Sequence, residues 1–351
     1  MNIPHSKPYL DERDIQSVLK ALKEGHLATG KIVNDFISEL CNYVGRKYGI
    51  ATNSGSSALH LALRALNIKE SDEIILPSYV CGTVLNPIEY CRATPVFVDI
   101  NKEDFNISYE ETKKKINNKT KVIIIPHMFG DPVKDIEQFQ RLNIPIIEDC
   151  ALSFGAQHNG KKIGSFGEIS IFSFYSTKMI ASGFGGMVLT DDNKILGKLK
   201  DLTHYDNREE WGESYNYSMS DLQAALGLSQ LRKLDEMVEK RKKIALKFND
   251  NFLDLNGFLR SKENIFFRYI IQVTKRDEFI KKLKELGISS AKPVFKPLHR
   301  YKNLKDEDFS NTTNAYEKNV SIPIYPSLTQ EEIDYIIESY KIIHDFFGQS
   351  E

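Results

Sequence analysis

Lys178 stands in the stretch SFYSTKMIASGFGG, Ser173 to Gly186, among hydroxyls and apolar residues rather than charged ones. Phe172, Phe174, Tyr175, Met179 and Ile180 surround it. Either its stem is buried and the ammonium strays to the surface, or the amine is held inside to do chemistry. An amine is a nucleophile only when unprotonated, and desolvation or a nearby cation lowers its pKa toward that state. Two further stretches carry groups that such an amine can use. In IPIIEDCALSFGA the adjacent carboxylates Glu148 and Asp149 close an apolar run. Ligands of open α/β sheets bind beyond the carboxyl ends of strands, so one of the pair can face a site. There it would hold a cationic ring nitrogen or, equally, coordinate magnesium. In NSGSSALHLAL a small-residue turn precedes a helical pattern. Ser56 or Ser57 can cap that helix, and the free N–H groups at its start suit an anion, phosphate in particular. Taken alone, that stretch is more commonly an ordinary capped helix without a ligand.

A lysine able to form a Schiff base, an acid for a ring nitrogen and an anion-binding helix start are the protein's share of pyridoxal 5'-phosphate chemistry. Each signal is weak, and their convergence on one cofactor carries the expectation.

These residues need a scaffold, and the chain provides short β-rich runs separated by helical patterns. YGIATN, DEIILP, TPVFVDI, KVIIIPH and IPIIEDC have the continuous apolar character of strands buried in a parallel sheet. Helical stretches between several of them favour an α/β sheet with crossover helices. ISIFSFYS and GGMVLTDD follow closely and are expected to pair as neighbours. From Asp221 one long helix is expected through Phe252, with Ser220 as its N-cap. FFRYIIQV as a strand, with RDEFIKKLKELG and QEEIDYIIESYKIIHDFF as helices, makes a smaller α+β unit. The expected division is a large domain over residues 1–240 and a small one over 241–351, bridged by the long helix.

The 351 residues allow two domains at roughly 150 residues each. A net charge of −1, without a long basic run, argues against nucleic acid or an anionic membrane as partner. The four cysteines have neither zinc-type spacing nor a secreted-type framework, so no metal is expected. The polar N-terminus and the lack of an apolar run of about 18 residues lead to a reduced, soluble, cytoplasmic protein as the expectation.

A series of ordered blocks goes further. GHLATGKIVNDFISEL, ATNSGSSALHLALRAL, DEIILPSYVCGTVLNPIEYCRATPVFVDI, VIIIPHMFGDPVKDI, IIEDCALSFGAQHNGKKIGSFGEISIFSFYSTK, YNYSMSDLQAALGLSQL, KPVFKPLHRY and IPIYPSLTQEEI run nearly end to end. Through them the chain resembles the pyridoxal-phosphate-dependent sugar aminotransferases of the DegT/StrS type, which have the aspartate aminotransferase fold. The resemblance implies a large, mostly parallel sheet flanked by helices plus a small C-terminal α+β domain. It implies Lys178 as the Schiff-base lysine and Asp149 as partner of the pyridinium nitrogen. Gly55 and Ser56 would hold the phosphate with help from Ser173. Asn216 would reach it from the neighbouring subunit of a homodimer with shared active sites. Tyr79 and Cys81 lie in the segment that crosses the cofactor's face in that family. Thr29, in the Leu27–Gly30 loop, and His299 are weaker candidates for substrate contact, and His299 reads equally as a surface histidine.

The activity implied is transfer of an amino group from an amino acid, usually glutamate, to a nucleotide-linked keto-sugar for glycan synthesis. A cyclitol or small ketone as acceptor, or a weakly active cofactor-binding regulator, are the alternatives. Three positions depart from the family pattern: Leu152 where a polar residue neighbours the cofactor's phenolic oxygen, Phe184 in place of an acid, and Ser218 in place of a base.

Overall fold

The computed structural model describes residues 1–252 and 262–348. Residues 253–261 and 349–351 of the expected small domain lie outside the described residues. Among the described residues eleven strands run, in chain order, β1 Tyr48–Thr52, β2 Glu73–Pro77, β3 Thr94–Val98, β4 Thr120–Pro126, β5 Ile146–Asp149, β6 Gln157–His158, β7 Lys161–Lys162, β8 Ile169–Ser173, β9 Gly186–Thr190, β10 Tyr269–Gln272 and β11 Asn319–Ile322. Seven of them form one sheet in the order β1-β9-β8-β5-β4-β2-β3. From β3 to β8 the pairings are parallel. β9 runs antiparallel to both β8 and β1.

Strand alternation explains why both faces of this sheet are apolar. Ile74, Leu76, Ile124, Ile147 and Val188 belong to one buried cluster, with the helix Gly55–Ala65 packed over it. Ile75, Ile123, Ile125, Ile146, Met187 and Leu189 belong to the cluster on the other face. Successive side chains point to opposite faces, so an unbroken run such as Val122–Ile125 supplies both cores at once. β8 and β9 pair as the sequence leads one to expect, with Ile169 opposite Thr190 and Ser173 opposite Gly186.

A third apolar cluster surrounds the two-stranded antiparallel sheet of β10 and β11. It takes in Phe248, Phe279, Leu283, Ile336 and Tyr340. Ile3 is fully buried there too. Its N–H donates to the Gly287 carbonyl at 2.8 Å, so the N-terminal segment reaches across to this unit.

Two local expectations need correction. The helix after β1 starts at Gly55, and its cap is Ser54, whose extended backbone (φ −163°) lets Oγ accept the Ser57 N–H at 3.1 Å. Ser56 and Ser57 are therefore inside the helix. The long helix from Asp221 is two helices, Asp221–Leu231 and Leu234–Asn251. The break falls at Lys233, whose buried ammonium pairs with Asp14 and lies 3.1 Å from Asp11 and 5.0 Å from the Tyr9 ring. Ser220 does cap the first of them, in a capping box with Gln223.

Candidate active site

β5 ends in two adjacent carboxylates, and the alternation that serves the cores gives them opposite destinies. Glu148 turns into the protein. Its Oε1 accepts the Gly164 N–H at 2.8 Å, and Oε2 accepts those of Phe166 and Gly167 at 2.6 and 2.7 Å. His127 Nε2 lies 3.2 Å from Oε1 and the Arg46 guanidinium 3.7 Å from Oε2. Glu148 thus holds the chain between β7 and β8 and has no free oxygen for a ligand. Asp149 faces the other way, into a cavity of about 490 Å³ at the carboxyl ends of β4, β5 and β8. Its Oδ1 accepts the Ala151 N–H at 3.0 Å. Burial raises the Asp149 pKa above the ordinary carboxylate value, against the opposing pull of that hydrogen bond and the charge of Lys178.

Lys178 lines the same cavity. It sits in the loop joining β8 to β9, which is closed by Phe174 N to Gly185 O (2.9 Å), Ser182 N to Phe174 O (2.9 Å) and Ser176 N to Gly183 O (3.1 Å). Its own N–H donates to the Tyr175 carbonyl at 2.8 Å. Nζ donates no hydrogen bond to any described residue and lies 5.6 Å from the centre of the Phe267 ring. Desolvation lowers its pKa from the usual lysine value; Asp149 opposes the shift and Arg268 adds to it. The amine is therefore held inside, displaced toward the neutral form that can attack a carbonyl carbon.

The third group is the start of the helix Gly55–Ala65. Ser54, Gly55 and Ser56 line the cavity beside Ser173. The Gly55 and Ser56 N–H groups precede the first intrahelical bond and have no described partner, so they are free donors at the positive end of the helix. A Cβ on Gly55 would stand 2.8 Å from Ser173 Cβ and 3.1 Å from its Oγ. Only glycine lets the helix start approach the end of β8 this closely. Gly55→Ala is expected to force the two apart and weaken pyridoxal phosphate retention by about one to two decades, the loss of one or two charge-assisted hydrogen bonds. Titration of the apoprotein with pyridoxal phosphate, followed by absorbance, checks this.

Phosphate donors at a helix start, a carboxylate at a strand end and a desolvated amine line one cavity, and these residues fit pyridoxal phosphate. The model of the DegT/DnrJ/EryC1/StrS aminotransferase family matches residues 8–341. This chain belongs to that family. It is 33% identical to the GDP-perosamine synthase of Escherichia coli O157:H7, over 99% of each chain. It is 31% identical to a spore coat polysaccharide biosynthesis protein of Bacillus subtilis, over 97% of each. The Streptococcus pneumoniae protein Spr1654, solved in a PLP form and a PMP form, superposes with TM-scores of 0.90 and 0.91 at 26% identity, over 98% of this chain and at least 98% of that one. Fold, cofactor and reaction class agree: the chain is a pyridoxal-phosphate-dependent aminotransferase with the aspartate aminotransferase fold.

In this aminotransferase the other residues singled out by sequence divide into two groups. Cys81 is exposed and lines the cavity, with Sγ 3.2 Å from Thr83 Oγ1. Leu152 and Phe184 line it as well; Phe184 is 61% exposed and meets Tyr175 edge to face at 5.4 Å. Tyr79 does not line it. The side chain is fully buried, and its hydroxyl accepts from Asn319 Nδ2 at 3.1 Å. His299 is neither at the surface nor in the cavity. Ser78 Oγ bonds its Nδ1 at 2.6 Å, Asp306 accepts from Nε2 at 2.9 Å, and Phe309 stacks on the ring. Thr29 is exposed, and its hydroxyl donates to the Met219 carbonyl at 2.7 Å. Asn216 and Ser218 are exposed outside the cavity wall.

Sequence reasoning passed over Ser54, Tyr175 and Thr177, which line the cavity. Tyr175 and Thr177 stand within three residues of Lys178, and that proximity was the available signal. Among the described residues no helix is long and apolar enough to cross a membrane, and no cluster of three or more His, Cys, Asp or Glu is placed to hold a metal.

Proposed function

We propose that this aminotransferase moves an amino group from an amino acid, L-glutamate first among candidates, to the keto carbon of a nucleotide-linked sugar, making an amino sugar for a surface polysaccharide or glycan. The observation that carries the reading is the desolvated Lys178 amine sharing a cavity with Asp149 and the free N–H groups of Gly55 and Ser56. The sugar is supported by the relatives, a GDP-perosamine synthase and a spore coat polysaccharide biosynthesis protein.

Bound there, pyridoxal phosphate supplies an electrophilic carbon and an electron sink for the carbanion formed at the substrate. The chain's residues do the rest. Gly55, Ser56 and Ser173 anchor the phosphate. Asp149 keeps a proton on the ring nitrogen by offering it a buried carboxylate. Lys178 first holds the cofactor and then, once a substrate amine has displaced it, carries the proton to and from the reacting carbon as general base and acid. Leu152 and Phe184 present apolar surface that limits water at the opening. Asn216, exposed on the protomer, completes the phosphate site of a partner subunit in a homodimer with shared active sites. A large cofactor-binding domain over 1–240, a small domain over 241–351 and a cytoplasmic location belong to the same reading.

The test follows the visible absorption of the cofactor-loaded protein. L-Glutamate is expected to bleach the band of the lysine-bound cofactor, and keto-sugar nucleotides to restore it while yielding an amino sugar detectable by mass. A band that no amino acid moves would end the transaminase reading, whereas restoration only by small ketones or cyclitols would end the nucleotide-sugar one.

A further inference from the structure

The loop that carries Lys178 has a second side, turned away from the cavity of Asp149. Behind it lies a small cavity of about 10 Å³, roughly the room of one water molecule. Thr177 and Lys178 line both spaces, so the small one is the rear of the same site. Residues 6–9 form its outer wall, with Gln230 and Arg241 beside them. Lys7 and Pro8 are exposed, so one thickness of chain separates the Lys178 loop from solvent here.

That wall belongs to a segment fastened at its two ends. At one end Ile3 is fully buried in the apolar cluster around β10 and β11. Its N–H donates to Gly287 O at 2.8 Å and its carbonyl accepts the Ser289 N–H at 2.9 Å. His5 Nε2 lies 2.9 Å from Ser321 Oγ on β11. At the other end the Tyr9 carbonyl accepts from Gln230 Nε2 at 2.9 Å, and its hydroxyl accepts from Lys240 Nζ at 2.7 Å. Those partners stand on the helices Asp221–Leu231 and Leu234–Asn251, which pack on the large sheet. Between the anchors Ser6, Lys7 and Pro8 make no hydrogen bond to any described residue. The cover over the rear cavity is held through its ends.

Water at the rear would change the amine. Burial is the main cause of the lowered Lys178 pKa, and a solvated ammonium returns toward its ordinary value. The other charged and titratable groups around it are Asp149, Cys81 and Arg268, with Lys7, Tyr9 and Arg241 on the rear wall. We propose that residues 3–9 are a strap that keeps water from the rear of Lys178 and, being tied to β11 at one end and to the helices of the large sheet at the other, passes a shift between those two parts to the reacting amine. The strap touches no substrate and acts through Lys178, as a positioning element.

The test needs no cofactor. Lys178 of the full-length apoprotein is titrated by acetic anhydride labelling over a series of pH values, read by peptide mass, with urea unfolding alongside. Wild type is compared with a truncation lacking residues 2–8, with Gly287→Ala and with Lys7→Gln. The truncation is expected to move the Lys178 titration upward, toward that of an exposed lysine. Gly287 has φ +75°, and a Cβ there would run into the Met1 carbonyl. Gly287→Ala should therefore dislodge the Ile3 end and move the titration the same way, by less. Lys7→Gln removes an exposed charge, keeps the cover and should leave the titration where it is. If the truncation does not fold, Gly287→Ala against Lys7→Gln carries the test. A fall in urea resistance with the Lys178 titration unmoved would reduce the segment to a structural tie and overturn the proposal. So would an equal shift in Lys7→Gln, which would assign the effect to charge. A shift in the truncation with none in Gly287→Ala would overturn the link to β11.

Discussion

Lys178→Ala is expected to lose the covalent lysine–cofactor bond altogether and to slow amino transfer by at least about 10²–10⁴-fold, the contribution of a positioned proton-transfer group. The expectation follows from the cavity, because no other lysine lines it. Lys178→Arg separates charge from chemistry. It keeps a cation opposite Asp149, but a guanidinium does not give up its proton in a protein and cannot serve as the amine. Both variants should therefore lack the visible band on incubation with pyridoxal phosphate. Both should still retain some cofactor, because Gly55, Ser56, Ser173 and Asp149 are untouched. Equilibrium dialysis of the phosphate ester against each variant, beside its spectrum, checks both halves. A visible band in Lys178→Ala that L-glutamate bleaches at the wild-type rate would show that the chemistry belongs elsewhere.

Lys178 was legible because the rule it breaks is local. A lysine flanked by Phe174, Tyr175, Met179 and Ile180 conflicts with the ordinary solvation of an ammonium, and the conflict is visible in sequence alone. The sheet was legible for a similar reason, since runs such as Val122–Ile125 fill both faces of a buried strand. Asp149 was half legible. Adjacent acids at a strand end must point to opposite faces, yet nothing local says which face is the core and which the cavity.

The remainder depends on partners distant in the chain. Lys233 interrupts a helical pattern because Asp11 and Asp14 draw its ammonium inward, and helical periodicity carries no trace of them. His299 in KPLHRY reads equally as a substrate contact or a surface histidine, but Ser78, Asp306 and Phe309 enclose it. Arg268 lies within FFRYIIQV, which reads only as a strand. Its contacts, with His5, 263 positions away in sequence, and with the Phe267 ring, emerge only in the fold. Charged residues drawn inward by tertiary contacts were the consistent omission.

Glu148 carries the second large effect, on stability. Its two oxygens accept three backbone N–H groups and face His127 and Arg46 in a site closed to solvent. Glu148→Ala would leave those donors and part of the Arg46 charge buried without a counterpart. Breaking a buried ion pair from one side costs about 3–5 kcal/mol. Glu148→Gln is expected to cost less than alanine but well over 1 kcal/mol, because its NH₂ group must face N–H donors wherever it turns. Urea unfolding of the apoproteins measures both.

The pH dependence identifies the charge. Burial alone would raise the Glu148 pKa, but the hydrogen bond and charge of His127, the Gly167 amide and Arg46 outweigh it and carry the value below 4.5. A carboxylate depressed in the folded state adds stability above its unfolded pKa, and that stability is lost as the pH falls through the folded value. Wild type should therefore lose more stability than Glu148→Gln when the pH is taken from 6 to about 3. Because Asp149 follows directly on the same strand, release of Glu148 is also expected to loosen the carboxylate in the cavity. Equal acid sensitivity in wild type and Glu148→Gln would mean that Glu148 is protonated in the native protein and that the amides, not the charge, hold this end of β5 in place.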